Sequence, residues 1–239
     1  MENSDLEVFY RDDSLQISPD INFETPLTPD TANMSSNDTI DTASNEVKCV
    51  MLYIEISHDI YQTFGDKTDA WVASVWSQVL LLFANEELTA KIKTLKIWDI
   101  QDPYPIVESD DFSGTETKLL AFGQRLAGQF DGDIAHLMGF NGNGGSAFVD
   151  VLCNKDSGYA YSGVYPTIDD IPVNSFIVLI VAHELGHQFG SPHTHSCVWG
   201  PNQDTAIDCC GAAIGKEECA DGCNADPWLP PEGGTIMSY

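Results

Sequence analysis

Basic residues and long apolar runs are both scarce in this sequence of 239 residues. It has 10 lysines and arginines against 37 acidic residues, which gives a formal net charge of -27. Such a charge repels nucleic acids and anionic membranes, so we expect neither as a partner. The longest apolar run, Phe176 to Ala182, is far shorter than the roughly 20 residues of a membrane span. Met1 is followed by ENSDLEVFYRDD, which has no signal-peptide pattern.

Residues 1–46 differ in composition from the rest of the chain. They contain eleven acidic residues and a single basic one, Arg11, and they are rich in Ser, Thr, Asn, Asp and Pro. A segment of this kind buries too little apolar surface to offset the entropy of ordering. We therefore predict an acidic leader that is disordered or loosely attached, or the remnant of a pro-segment. The folded domain is expected over residues 47–239.

The seven cysteines bear on the compartment of the protein. Five fall within 27 residues near the C-terminal end, and the full set is Cys49, Cys153, Cys197, Cys209, Cys210, Cys219 and Cys223. They could form disulfides in a secreted protein or a second, thiolate metal site. The C-x3-C and C-C spacings are poor zinc knuckles, so disulfides and secretion are favoured, with the pairing left open. The odd count leaves one thiol free or paired outside this chain.

The apolar patterns predict alternating strands and helices. Lys48 to Ser57 and the segment LTAKIKTLKIWDI are typical of strands, and TDAWVASVWSQVLLLFANEEL has helical spacing between them. A second helix is predicted over Thr115 to Phe130 with Thr115 as its cap, and a third strand over Asp133 to Phe140. SAFVDVLC and YAYSGV read as short strands before a last helix. The order β-α-β-α-β-β-β-α predicts an α/β domain with a largely parallel sheet.

The segment HELGHQFGSPH, His183 to His193, has the spacing of a metal site on a helix. If Asn174 or Ser175 caps a helix that runs to about Phe189, then His183 and His187 lie one turn apart on nearly the same face. A glycine at position 190 allows the sharp turn that ends a helix and lets His193 return as a third ligand.

Three imidazoles leave one position of a tetrahedral Zn²⁺ open, which is typical of a catalytic ion. Zinc brings the pKa of bound water towards about 7 and polarises a carbonyl. Glu184 lies beside the ligands without being one, so it can act as the base on that water. The predicted reaction is peptide hydrolysis without a covalent intermediate.

A lone H-E-x-x-H arises by chance in unrelated helices, and FIVLIVA could be a buried strand on β-propensity alone. Here the pattern extends to H-E-x-x-H-x-x-G-x-x-H, and Met237 in GTIMSY follows 44 residues after His193. The extended pattern together with a downstream Met-turn is typical of zinc peptidases. A zinc endopeptidase that acts on protein or peptide substrates is therefore favoured.

On HELGHQFGSPHTHSC and GTIMSY, with CVMLYIEISHDIY as a weaker match, the chain resembles a metzincin. It is most similar to the reprolysin (adamalysin) branch and to bacterial reprolysin-like proteases, over roughly residues 47–239. The resemblance implies a mostly parallel twisted sheet with an antiparallel edge strand, long helices and a zinc-binding active-site helix. It implies that His183, His187 and His193 bind zinc, that Glu184 is the catalytic base, and that Met237 forms the floor of the site.

The resemblance also implies that the strand near residues 147–151, with Ala147, Phe148 and Val149, is the upper edge of the cleft and binds substrate by strand addition. Tyr239, two residues after Met237, is a hypothetical stabiliser of the transition state, as in other metzincin branches. The alternative is that Tyr239 only packs against its neighbours and has no role in the reaction. Metzincins usually continue beyond this point, so we expect a truncated chain. The leader has no cysteine for a latency switch, although an aspartate there could cap the zinc.

Several other polar residues have weaker interpretations. His195 is expected to be a surface neighbour or, less often, a substitute ligand, and His58 and His136 ordinary polar positions. Calcium could bind between the cysteines, although no EF-hand spacing is present; its candidate ligands are Asp204, Asp208 and Asp221. The alternative functions are a non-catalytic extracellular binding or adhesion module on the same fold and a cytosolic thiol-zinc protein.

Overall fold

The computed structural model describes residues 6–10, 49–106, 112–140, 144–164, 176–213, 219, 229–231 and 234–238. The strands within these ranges are β1 (Leu6–Tyr10), β2 (Val50–Ile56), β3 (Ala90–Ile97), β4 (Ile134–Gly139), β5 (Gly144–Phe148) and β6 (Tyr159–Gly163). The helices are α1 (His58–Phe64), α2 (Thr68–Asn85), α3 (Phe112–Leu126), α4 (Phe176–Gln188) and α5 (Cys210–Ala213), and a 3₁₀ turn spans Gly65–Lys67.

All six strands belong to one mixed sheet with the order β1-β5-β6-β4-β2-β3. Strand β2 is parallel to β3 and β4, and β4 is parallel to β6. Strand β5 is antiparallel to β6, and β1 is antiparallel to β5. The predicted α/β fold is confirmed, with a mostly parallel sheet and an antiparallel edge.

Helices cover both faces of this sheet. On one face, α2 and α4 pack against side chains from β2 and β4, which include Ile134 and Met138. On the other face, α3 packs against the alternate residues of β4, Ala135 and Leu137. Every residue of β4 is buried, as expected for a central parallel strand. The apolar spacing of α2 is confirmed by its buried residues Trp71, Val72, Val75, Trp76, Val79 and Phe83.

The boundaries of α3 differ from the prediction. The helix begins at Phe112 and ends at Leu126, so the prediction that Thr115 caps it was wrong. Thr115 is buried inside the helix, and its hydroxyl accepts a hydrogen bond from Ser146 Oγ on β5 at 2.9 Å. A hydroxyl that reads as a cap in the sequence is therefore used to join the helix to the sheet.

The predicted leader contributes one strand to the sheet. Leu6 pairs with Phe148, and the register continues to Tyr10 opposite Gly144. The predicted boundary near residue 46 lies outside the described residues and stays a prediction. None of the described helices combines the length and hydrophobicity needed to cross a bilayer.

Candidate metal centre

Helix α4 carries the first two histidines and ends in the manner that its sequence predicts. Gly190 has a φ of +101°, a region that L-residues with a side chain rarely adopt. Its N–H donates to His187 O at 2.8 Å, and the N–H of Ser191 donates to Gly186 O at 3.0 Å. These two bonds form a Schellman motif, which satisfies the last carbonyls of the helix. The chain then reverses and brings His193 back towards the helix.

The three predicted ligand side chains converge on one point. His193 Nε2 lies 3.1 Å from His183 Nε2 and 3.2 Å from His187 Nε2, and all three side chains are buried. A tetrahedral zinc ion with Zn–N bonds of about 2.0–2.1 Å separates its ligand atoms by about 3.3–3.4 Å. The spacing of the nitrogens therefore fits zinc. This trio is the group of potential metal ligands found within the described ranges.

Backbone carbonyls orient two of the imidazoles. His183 Nδ1 lies 2.7 Å from Ile236 O, and His187 Nδ1 lies 2.7 Å from Ser191 O. A carbonyl can only accept, so each Nδ1 carries the proton and each Nε2 presents its lone pair to the centre. Burial, and then the neighbouring His187 and His193, hold the pKa of His183 well below its ordinary value. The ring is thus neutral, as a metal ligand must be.

Glu184 is fully buried and faces β5 across a glycine. A Cβ added at Gly145 would lie 2.4 Å from Cγ and 2.5 Å from Oε1 of Glu184. The space that this carboxylate occupies therefore exists because position 145 has no side chain. The carboxylate of Glu184 packs against strand β5.

Met237 packs against helix α4. A Cβ added at Gly186, between the two histidines of α4, would lie 2.5 Å from Met237 Sδ. The carbonyl of Met237 accepts a hydrogen bond from the N–H of Thr194 at 3.1 Å. Ile236, which precedes Met237, supplies the backbone carbonyl that orients His183. Met237 therefore contacts α4 between His183 and His187, and its role as the floor of the site stays a prediction.

The segment that follows strand β5 is hydrogen-bonded to the end of α4. Ala147 is buried within β5, but the strand ends at Phe148, so the prediction that it continues through Val149 to residue 151 was wrong. The N–H of Asp150 donates to His187 O at 3.0 Å, and the N–H of Val151 donates to Gln188 O at 3.2 Å. The role of this strand in substrate binding stays a prediction.

Two of the weaker interpretations can be compared with the structure. His195 is buried rather than on the surface, and its ring stacks on that of His193 with centroids 4.9 Å apart and planes 12° apart. It is not in the group of converging ligands. His136 is buried in β4, where its Nε2 lies 2.8 Å from Ser162 Oγ. His58, at the start of α1, has Nδ1 3.1 Å from Trp98 O.

Some predicted residues lie outside the described residues or apart from one another. Tyr239, Asp221 and the helix caps at 174 and 175 are outside the described residues. Asp204 is exposed, whereas Asp208 is buried and accepts hydrogen bonds from Ser238 and from a backbone N–H. Calcium binding therefore stays a prediction.

The described cysteines favour disulfides over a second metal site made of thiolates. Cys197 and Cys219 form a disulfide, and Cys209 is disulfide-bonded as well. Of the described cysteines, the free ones are the half-buried Cys49, the exposed Cys153 and the buried Cys210. Burial, and then the charge of Asp208, raise the pKa of the Cys210 thiol to about 11, so it is not a thiolate near neutral pH.

The sequence did not indicate the polar contacts that join the third ligand segment to the Met-turn. Thr194 and Ser238 are adjacent to His193 and Met237, and this adjacency was the available signal. Asp208 was considered only as a candidate calcium ligand, and nothing in its sequence context indicated a contact with the Met-turn.

The comparisons with known proteins agree with this geometry. Residues 45–239 match the reprolysin-type model of the group described as Metallo-peptidase family M12. Disintegrin and metalloproteinase domain-containing proteins 1a and 1b of Mus musculus are each 27% identical in an alignment of 199 residues that covers 77% of this chain. The chain spans only 23% of the length of each.

Metalloproteinase-II from Bacteroides fragilis is a solved structure with 16% identity and a TM-score of 0.40, over 69% of this chain and 50% of that one. The family model covers most of the chain, and the extended histidine pattern lies within it. This chain belongs to metallo-peptidase family M12 and is a reprolysin-like metzincin.

Proposed function

We propose that this protein is a zinc-dependent endopeptidase. One observation supports it most strongly: three buried imidazole nitrogens converge at zinc spacing, with the carboxylate of Glu184 on the same helix. A structural zinc site would have a fourth protein ligand. Only the three histidines form a potential metal-binding group among the described residues, which leaves a position for water or substrate.

In this proposal zinc supplies a Lewis acid that brings the pKa of water towards about 7 and polarises the scissile carbonyl. Glu184 accepts a proton from the attacking water as the new C–O bond forms. It then donates that proton to the leaving amine as the C–N bond breaks. Burial of this carboxylate keeps bulk water from competing for the proton. His183, His187 and His193 hold the ion as neutral ligands.

Substrate orientation is assigned to β5. An extended peptide that takes the place of β1 beside β5 would make main-chain hydrogen bonds along Ala147 and Phe148 towards Val149. Gly145, which contacts Glu184, is on the same strand. A peptide aligned with β5 would therefore pass the proposed base. Met237 is proposed as the floor of the site, and Tyr239 as a stabiliser of the transition state.

The leader is proposed to be a pro-segment. Its strand β1 pairs antiparallel with β5, so it uses the edge that we assign to substrate. Helix α4 lies beside β1 as well as beside β5. Secretion is proposed from the Cys197–Cys219 disulfide, because such bonds persist in oxidising compartments.

Two alternatives remain as outcomes of the test. A non-catalytic binding or adhesion module would hold zinc without hydrolysing peptides. A cytosolic thiol-zinc protein would have reduced cysteines and more than one zinc ion.

The deciding experiment compares wild type with Glu184→Gln for zinc content and for hydrolysis of a general protein substrate. We expect one zinc ion in each, and a loss of at least about 100-fold in turnover in the variant, because a general base contributes about 10²–10⁴-fold. Glu86→Gln is the matched control, since this exposed glutamate is the C-cap residue of α2. It should retain full activity.

The other results are equally informative. Equal activity in wild type and Glu184→Gln would remove the assigned base. Zinc without activity in wild type would support a binding module. Absence of zinc in wild type would contradict the metal site itself.

A further inference from the structure

A buried polar cluster outside the proposed chemistry connects two parts of the metal site. Its members are Thr194, Asp208 and Ser238, and each is less than a tenth exposed. Thr194 follows the third histidine ligand, and Ser238 follows the methionine of the Met-turn. Asp208 comes from the cysteine-rich stretch that immediately precedes α5. The cluster therefore joins three segments that are far apart in the sequence.

Ser238 lies at the centre of these contacts. Its hydroxyl donates to Asp208 Oδ2 at 2.9 Å, and its oxygen accepts from the N–H of Thr235 at 3.0 Å. The hydroxyl of Thr194 lies 2.8 Å from that of Ser238. The other carboxylate oxygen, Asp208 Oδ1, accepts from the N–H of Cys210 at 3.0 Å. Both oxygens of Asp208 are therefore used for positioned hydrogen bonds.

Thr194 is held from both sides. Its N–H donates to Met237 O at 3.1 Å, and its own carbonyl accepts from the N–H of Ile207 at 2.7 Å. The residue after the third ligand is thus fixed to the Met-turn and to the segment that carries Asp208. Because Ser238 follows Met237 and contacts Thr194, a shift of Ser238 would displace both residues.

The carboxylate of Asp208 is suited to this role because it is ionised. Burial alone would raise its pKa, but hydrogen bonds from Thr194, Cys210 and Ser238 outweigh that effect and hold the pKa below its ordinary value. Charge-assisted hydrogen bonds are roughly twice as strong as neutral ones. In a buried position they fix geometry that a neutral partner would leave looser.

We propose that Asp208 is a positioning residue that, through Ser238 and Thr194, fixes the Met-turn against the third zinc ligand. The proposal concerns the zinc site of the proposed function and does not depend on peptidase activity. Residues that orient metal ligands without binding the ion themselves influence the metal affinity. Asp208 would act in this way on His193 and on the carbonyl that orients His183.

The test measures the zinc affinity of the full chain by competition with a chromophoric chelator. Asp208→Asn and Ser238→Ala should each weaken zinc binding by about 10- to 100-fold, the usual effect of a change behind the ligands. Asp66→Asn is the matched control, an exposed aspartate in the 3₁₀ turn Gly65–Lys67, and should not change affinity. The visible absorption of bound Co²⁺ should change in the first two variants only, because it reports ligand geometry.

A double variant tests whether the two residues act through one connection. Asp208→Asn with Ser238→Ala should bind zinc about as tightly as the weaker single variant. Losses that multiply would overturn the proposal, as would wild-type affinity in folded Asp208→Asn. If Asp208→Asn does not fold, Ser238→Ala decides: it keeps the bond from Asp208 to Cys210 and removes the hydroxyl that contacts Asp208, Thr194 and Thr235. Wild type that binds zinc without hydrolysing peptide would refute the peptidase and leave this inference intact.

Discussion

At the scale of single residues, the site depends on positions where a side chain is absent. Gly186 lies between His183 and His187, and the sulfur of Met237 occupies the space where its Cβ would be. Helix propensity favours alanine over glycine by about 1 kcal/mol. Overpacking of a buried contact costs about 1–3 kcal/mol. For an alanine at position 186, the unfavourable contact with Met237 should therefore outweigh the better helix propensity. The resulting strain would fall on the Met-turn.

We expect Gly186→Ala to lower the zinc affinity, because Met237 must move and the carbonyl of Ile236 that orients His183 moves with it. The measurement is chelator competition, with the melting temperature followed in parallel. Met237→Ala is the second arm of a double-mutant cycle, since it removes the obstructing sulfur. Gly186→Ala should weaken zinc binding less in that background, and an equal loss in both backgrounds would contradict the clash.

At the scale of elements, β4 holds an imidazole that should make folding sensitive to acid. His136 is buried in the central strand, hydrogen-bonded to Ser162, with its ring against the edge of Trp76 at 5.4 Å. Burial lowers the pKa of His136 to about 3. The unfolded chain takes up this proton below a pH of about 6.5, whereas the folded chain does not. Acid therefore favours unfolding between about pH 6.5 and about pH 3.

We expect the free energy of unfolding of wild type to fall by up to about 1.4 kcal/mol per pH unit from this group across that window. His136→Gln keeps a polar atom for Ser162 and removes the titration. The difference in unfolding free energy between the two proteins should change as the pH falls from 7 to 4, measured by urea unfolding of the metal-free chain. Curves that stay parallel over this range would show that His136 titrates normally in the folded protein.

At the scale of the whole molecule, the predicted leader and the predicted domain over residues 47–239 contribute strands to one sheet. Strand β1 pairs with β5 along its full length, with Phe9 opposite Gly145 and therefore level with the glycine that contacts Glu184. An intramolecular strand competes at a high effective concentration. The molecule as described therefore has its proposed substrate edge covered by its own chain.

Deletion of residues 1–10 should lower KM and raise kcat/KM several-fold for a peptide substrate, because the edge of β5 becomes available. Deletion of residues 1–5 is the matched control, since it keeps β1 and should leave both constants unchanged. A synthetic peptide of Leu6–Tyr10 with its flanking residues should inhibit the shortened enzyme competitively. Identical constants for the two deletions would contradict the proposed role of β1.

The parts of the fold that were predicted correctly have strong local patterns. Helix α2 repeats its apolar residues at helical spacing, and β2, β3 and β4 are short β-rich runs with polar boundaries. Helix α1 is seven residues long with only Ile60 buried, so it left no periodic pattern. The start of α3 was misplaced because the hydroxyl of Thr115 binds a residue on β5 rather than its own backbone.

The sequence by itself determined the α/β class and the convergence of three histidines, because His183 and His187 lie one helical turn apart and a glycine turn returns His193. These relations are local, and helix geometry is enough to derive them. Only the tertiary structure decided that Gly145 and Gly186 make room for Glu184 and Met237, that His195 is buried, and that Asp208 reaches the Met-turn. Such contacts join residues far apart in the chain, and the packing of the sheet against α4 brings them together.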